Sequence, residues 1–389
     1  MQTTYQEAVN HHQHGRLKQA QDGYKAVLVQ QPNHFDSLHM LGVLAYQTGH
    51  HQAAVDLISH ALEVQPDHPG ACSNLGLALG KLHRPELALA AFDRAIASKP
   101  DYATAYLNRG NLLAELKQFA AAIDSFNRAI VIQPNLVEAY VNRGSSLLEL
   151  DQADAALHNF DQAIAQRPER ADLHGRRGHA LMELDDMAAA RTSYRTALAL
   201  APDYSHAKLG LTFACLPAIA PDDQAQDTAR EELAQALEEL ESWVDSRRHD
   251  QAFSTLGSSH PFYLAYQECN NVELLSRYGD ICNKVASAWQ TARNLQPDPG
   301  PGVGKIRLGI VSNHIREHSV WQALIKGWVC ELDKTRFELH LFCLGTTHDD
   351  ATELAKRVAT SVTEQLDSVE AWAQAILARR IEVLCYPEI

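Results

Sequence analysis

Asn74, Asn108 and Asn142 stand 34 residues apart along the chain. Each side-chain amide offers a donor and an acceptor, so each can meet a peptide group in two hydrogen bonds whatever side chains flank it. A row of such amides would grip an extended polypeptide by its backbone. Met40 and Arg176 fill the same place in the neighbouring units and limit the row to three asparagines. A second constellation lies in the polar segment NHIREHS (313–319), where His314 and His318 follow an apolar run and precede a helical pattern. Imidazole exchanges a proton near neutral pH, and a helix N-terminus beside it lowers its pKa and favours the neutral form. His314 and His318 compete for that proton-handling role on the residues alone. The seven cysteines form no CxxC pair, which signals neither a zinc site nor a disulfide framework and makes them buried free thiols. His11, His12 and His14 have no second cluster at ligand spacing, so no metal is expected.

The elements that carry the asparagines are set by a period. Pro32, Pro66, Pro100, Pro134, Pro168 and Pro202 recur every 34 residues, each marking where one helix pair ends and the next begins. The eighth place in the period holds Gly42, Gly76, Gly110, Gly144 and Gly178, where two helices cross too closely for a larger side chain. The twentieth holds alanine in all six units, and four residues on comes Tyr24, Ile58, Phe92, Phe126, Phe160 or Tyr194. Small then large at that spacing is one face of a helix. Pro85 fits as the first residue of a second helix, where its missing N–H costs nothing. The pattern resembles the tetratricopeptide repeat, in six copies: 1–34, 35–68, 69–102, 103–136, 137–170 and 171–204. The first copy is degenerate, as an end repeat lacking one neighbour can be. The resemblance puts the asparagines on the first helix of each pair, lining the inner groove.

Past residue 204 the pattern changes. Residues 205–216 begin like a seventh repeat but stop at Pro217, which predicts a helix capping the open end of the stack. Residues 222–245 read as one amphipathic helix with Leu233, Leu237, Leu240 and Val244 on its apolar face. A polar stretch (246–260), a helical segment (261–292) and the linker QPDPGPGVGK complete a connector over 205–304. GPGVGK is not a phosphate loop, because its first glycine is one residue too close, Ile306 replaces Ser or Thr, and it precedes a strand instead of following one. From 305 to 389 apolar runs at 306–312, 337–345, 362–366 and 381–387 alternate with helical patterns at 320–331, 350–359 and 369–379. Strands apolar on both faces and alternating with helices predict a parallel, doubly wound sheet of Rossmann-like type. Ligands of such sheets sit beyond the carboxyl ends of the strands, which is where the loop 313–319 belongs.

Composition narrows the functions. A chain of 389 residues exceeds one core, and a formal charge of −14 speaks against nucleic acid as a main partner. The N-terminus lacks the apolar stretch of a signal peptide and no run approaches a membrane span, so a cytoplasmic protein without a membrane partner is expected.

The repeats, the connector with PFYLAYQ, and KIRLGIVSNHIREHSVWQALIKGW followed by FELHLFCLG and IEVLCYPEI together resemble the O-GlcNAc transferase and SPINDLY family of protein O-glycosyltransferases. The resemblance implies inverting transfer of a sugar from a nucleotide-sugar, UDP-GlcNAc foremost, to Ser or Thr of a polypeptide held by the repeats, with no further cofactor. It implies that His318 lines the active site as a candidate base, and that Asn74, Asn108 and Asn142 bind peptide. Val320, Trp321 and Gln322 depart from the small and polar residues that follow the family's histidine. The family's catalytic region has two Rossmann-like halves, and 305–389 matches only the first, so these residues alone are expected to be inactive. The alternative is a non-catalytic tetratricopeptide adaptor whose α/β domain only docks.

Overall fold

The computed structural model describes residues 2–217, 220–244, 249–255, 264, 267, 269–296, 304–345 and 348–386. Twelve helices form six antiparallel pairs: α1 (Gln2–Gln13) with α2 (Leu17–Gln30), α3 (Phe35–Gln47) with α4 (His51–Val64), α5 (Pro69–Lys81) with α6 (Pro85–Ser98), α7 (Ala103–Glu115) with α8 (Phe119–Ile132), α9 (Val137–Leu148) with α10 (Ala153–Gln166), and α11 (Ala171–Glu183) with α12 (Met187–Leu200). All six periodic prolines lie in the turns that join one pair to the next. The glycines do what their period predicts. A Cβ on Gly76 would lie 2.6 Å from the Phe92 ring, and one on Gly110 would lie 2.5 Å from Phe126. The degenerate first pair reaches the same closeness differently, with Gly23 of α2 set against Ala8 of α1.

A periodic feature of the backbone is hidden in the residue types. The residue ending the turn after each first helix is left-handed in every repeat: Gly15, Gly49, His83 (φ 54°), Lys117 (φ 59°), Asp151 (φ 56°) and Asp185 (φ 58°). The next N–H reaches back five residues to the helix, as from Gln118 to Leu113 O (2.8 Å) and from Asp186 to Leu181 O (2.9 Å). This is the Schellman closure, and it caps orphan carbonyls well enough to hold even non-glycine residues in that conformation.

Neighbouring repeats are clamped by a second 34-residue series. Arg109 donates to Asp93 Oδ1 (2.7 Å) of the preceding repeat and to Ser125 Oγ (2.8 Å) of its own. Arg143 bridges Asn127 and Asn159, and Arg177 bridges Asp161 and Ser193, in the same way. Guanidinium suits this task because its planar fork serves two acceptors at once.

The stack is closed by α13 (Ser205–Phe213), which buries Ala207, Leu209 and Phe213, and by α14 (Asp223–Trp243). Leu233, Leu237, Leu240 and Val244 are all buried, as their spacing predicts. Arg191 of α12 ties this end together by pairing with Glu232 of α14 and donating to Ala214 O (3.0 Å). The polar stretch after α14 contains α15 (His249–Thr255), whose Phe253 ring stacks 4.2 Å from Trp289. Among the described residues of the segment expected to be helical from 261, α16 (Val272–Ala292) is regular and begins where Asn270 Oδ1 accepts the Val272 N–H. Most of PFYLAYQ and of the linker QPDPGPGVGK lies outside the described residues.

The α/β part has four parallel strands, β1 (Ile306–Ser312), β2 (Phe337–Cys343), β3 (Ser361–Glu364) and β4 (Val383–Cys385), in the order β3-β2-β1-β4. β3 is shorter than predicted because a left-handed residue stops it, while β4 starts two residues later than predicted and the predicted end at 387 lies outside the described residues. Gln365 (φ 57°) ends β3, and Arg380 (φ 52°) closes α19 (Val369–Ala378) before the chain can extend into β4. Helix α18 (Asp350–Val358) follows β2. The helix after β1 opens as a wide π turn (Trp321–Ile325) before α17 (Lys326–Glu331), burying Trp321, Ile325 and Val329 against the sheet. Two compact units result: Met1–Trp243 with Ser254–Tyr278, and Val244–Phe253 with Gly279–Ile389. Among the described residues no helix is long and apolar enough to cross a membrane. Cys72, Cys215 and Cys343 are buried, and burial pushes the Cys215 thiol up to about 11. Cys269 and Cys330 are exposed, against expectation, since one precedes α16 in irregular chain and the other lies on the outer side of α17.

Candidate functional site

The three asparagines stand on α5, α7 and α9, whose neighbours along the stack touch one another and so form one continuous face. None of the three amides is loose. Asn74 Nδ2 lies 2.9 Å from His39 Nε2, Asn108 donates to Ser73 Oγ at 3.2 Å, and Asn142 donates to Asn111 Oδ1 at 2.7 Å. Each partner belongs to the preceding repeat, so one N–H is spent on holding the amide plane while a second N–H and the carbonyl oxygen remain. Arg176, which ends the row, does the same by donating to Ser145 Oγ at 2.9 Å. The row is thus preorganised by neighbour-to-neighbour bonds, a feature the spacing of the asparagines did not reveal.

His39 is the residue whose role was missed. Its ring is packed against Phe35 (5.7 Å between centroids) and His68 (5.5 Å), and it is the partner of Asn74. Burial, reinforced by His68 and opposed by Asp36, lowers its pKa from 6.5 to about 4. The neutral ring is therefore the folded form, with Nε2 accepting from Asn74. In the unfolded chain the same imidazole charges near pH 6.5, so protons favour unfolding in the window between 6.5 and about 4. Stability should be full above pH 6.5 and fall as acid is added, by about 2 kcal/mol after discounting for partial exposure. Urea titrations of the protein and of His39→Gln at pH 7.5 and 4.5 check this: most of that acid loss should vanish in the variant.

In the α/β part, the loop 313–319 leaves the carboxyl end of β1, which lies between β2 and β4 in the sheet. The strand order reverses between β1 and β4, and a crevice forms at such a reversal. Thr352 donates to Ile315 O (2.7 Å), and Asp349 accepts the Glu317 N–H (2.7 Å) while capping α18 through the Thr352 N–H (3.1 Å). Those N–H bonds hold the Asp349 carboxyl below its usual range. The loop is thereby fixed at both its middle residues. His314 and His318 stack face to face at 3.9 Å with 7° between their planes. The Val320 N–H donates to His318 Nδ1 at 3.2 Å, and the Gln322 N–H to His318 O at 3.0 Å. A neutral ring that accepts at Nδ1 carries its proton on Nε2. In that tautomer the ring is a hydrogen-bond donor at Nε2 and has no lone pair there to abstract a proton. At the ends of β2 and β3, Glu364 is already matched by Lys356 (3.0 Å) and His348 (3.5 Å). Among the described residues no group of three or more His, Cys, Asp or Glu could hold a metal ion.

Comparison with known proteins agrees with the helical period. The tetratricopeptide repeat family matches residues 5–69, 73–136 and 141–205. The first half of the chain is a tetratricopeptide-repeat array. Among solved structures, the type IV pilus biogenesis factor PilW aligns over 53% of this chain and 96% of its own, with 22% identity and a TM-score of 0.50, a likeness of fold. A mutant O-GlcNAc transferase from Thermobaculum terrenum aligns over 72% of this chain and 45% of its own, with 19% identity and a TM-score of 0.45. MamA aligns over 41% of this chain and 94% of its own, with 25% identity and a TM-score of 0.39. No curated protein matches the chain. The tetratricopeptide array accounts for α1–α12, with α13 as its cap.

Proposed function

We propose that the protein is a protein O-glycosyltransferase of the O-GlcNAc transferase type, whose tetratricopeptide array holds an extended polypeptide while the α/β unit contributes to sugar transfer from a nucleotide-sugar, UDP-GlcNAc foremost. The observation that carries this reading is the amide row. Asn74, Asn108 and Asn142 are each turned by a neighbour in the preceding repeat, so their remaining donor and acceptor are held in register for a peptide backbone. A binding array of this kind in one chain with a parallel sheet and a histidine loop at the β1 end fits a transferase that acts on polypeptide. In inverting transfer the acceptor hydroxyl forms the new bond to the anomeric carbon as the bond to the nucleoside diphosphate breaks. The hydroxyl proton must leave, and the departing phosphate oxygens need donors. In this reading His318 lines the site at the end of β1, with its Nδ1 held by the Val320 N–H.

The array half is tested with an unfolded, Ser/Thr-rich fluorescent peptide. The triple variant Asn74→Ala, Asn108→Ala, Asn142→Ala should bind it about tenfold more weakly, one to two hydrogen bonds' worth, with the array still fully helical at the assay temperature although its melting point falls as the three inter-repeat bonds are lost. Equal affinity would remove the row from recognition. The transfer half is tested by following label from UDP-GlcNAc to the same peptide with the protein in its natural full length; peptide binding without any transfer would leave an adaptor.

A further inference from the structure

The face that carries the amide row also holds a cavity of about 430 Å³ between α7 and α9, bounded by Asn142, Ala114, Phe119, Glu115 and Glu149. That volume is many times the roughly 30 Å³ of a liquid water, so it can admit a long side chain. Its two acids are one repeat apart at the same place in the period, each at the end of a first helix. Both are exposed, and among the described residues neither side-chain carboxylate has an ion pair or hydrogen bond. The equivalent acid of the next repeat, Glu183, is already beside His179 (3.6 Å), and the earlier repeats have Gln47 and Lys81 there. Of the repeats compared at this place, Glu115 and Glu149 are the adjacent pair of acids flanking one cavity. No residue that lines it is basic. The Arg176 guanidinium is engaged with Ser145 on the rim, and Arg143 is held elsewhere by Asn127 and Asn159.

From this geometry we infer that the cavity is a specificity pocket for a lysine or arginine side chain of the bound polypeptide, seated beside the peptide unit that Asn142 holds. A long basic side chain matches both parts of the lining. Its aliphatic stem can lie along Ala114 and the Phe119 ring, and its charged head can reach the two glutamates at the solvent edge. An acidic side chain would meet two like charges, so the pocket rejects as well as selects. The inference rests on the reading of the amide row as a peptide site and adds to it the class of acceptor sequence.

The test uses three fluorescent peptides identical but for one central residue: lysine, glutamine or glutamate. In 50 mM salt the lysine peptide should bind about fivefold more tightly than the glutamine peptide and the glutamate peptide more weakly still, with the differences shrinking as salt rises. In Glu115→Gln, Glu149→Gln the lysine preference should disappear while the glutamine peptide binds as before. A control with the same change of net charge, Asp22→Asn with Asp124→Asn on second helices, should keep the preference. Equal binding of the lysine and glutamine peptides by the unaltered protein overturns the pocket alone. An equal loss of preference in the control also overturns it, by showing general attraction to an acidic protein. Failure of all three peptides to bind overturns the amide-row reading beneath it.

Discussion

Replacing Phe126 by alanine should cost the array about 3–5 kcal/mol, the range for emptying a core aromatic site that cannot collapse. The ring is fully buried. It faces Gly110 so closely that no Cβ fits there, and Leu113 and Ala122 pack beside it. Collapse would require α7 and α8 to move together, but each is fixed by its neighbours, and Arg109 ties α7 to Asp93 of the repeat before and Ser125 of its own. The cavity would stay open. In a stack where each repeat touches only the next, the damage should also be local in sequence. Amide exchange should quicken most between Asn108 and Asn142, splitting the array into two stable ends, whereas the same change at Tyr24 of the end repeat should fray only the N-terminus. Urea denaturation with amide exchange checks both. A loss under about 1 kcal/mol would mean that the glycine–aromatic contact is not what joins the two helices of a repeat.

That prediction was available from the sequence, and the reason is physical. Gly110 and Phe126 are informative because the contact excludes every other residue at one position and nearly every small one at the other. Where geometry tolerates many residue types, the sequence says less. The left-handed turn filled by Gly15 and Gly49 is just as regular in the backbone, yet His83, Lys117, Asp151 and Asp185 occupy it elsewhere because a Schellman closure offsets their strain. The arginine clamp was hidden for a related reason, since its acceptors alternate among Asp, Asn and Ser. In the site, the asparagines were legible by their period. Their partners were not, because His39 and Ser73 share a place in the repeat but no residue type, and Asn111 stands at a different place altogether. The loop holding His318 was placed by the rule that ligands lie beyond strand ends, but no pattern of spacing reports which ring nitrogen is engaged.

That nitrogen decides the second large effect. On the proposed transferase reading, neutral His318 with Val320 N–H on Nδ1 carries its proton on Nε2, so the role to be tested is that of a donor. If it served as a base it would have to accept the acceptor's proton, and the nitrogen with the lone pair is the one the backbone already occupies. Removal of one donor aimed at developing charge costs on the order of a hundredfold or more in rate. His318→Ala should therefore lower transfer from UDP-GlcNAc about a hundredfold with little change in peptide affinity. His318→Gln separates the two roles, since its terminal amide keeps an N–H near the place of Nε2–H but has no basicity to offer. A donor role predicts that glutamine restores activity to within about tenfold of the unaltered protein, because a neutral hydrogen bond replaces a neutral hydrogen bond. A base role predicts that glutamine is as inactive as alanine. Transfer rates of the two variants, compared at saturating peptide, distinguish these outcomes, and equal inactivity would transfer the acid–base work to His318 despite its bond to Val320.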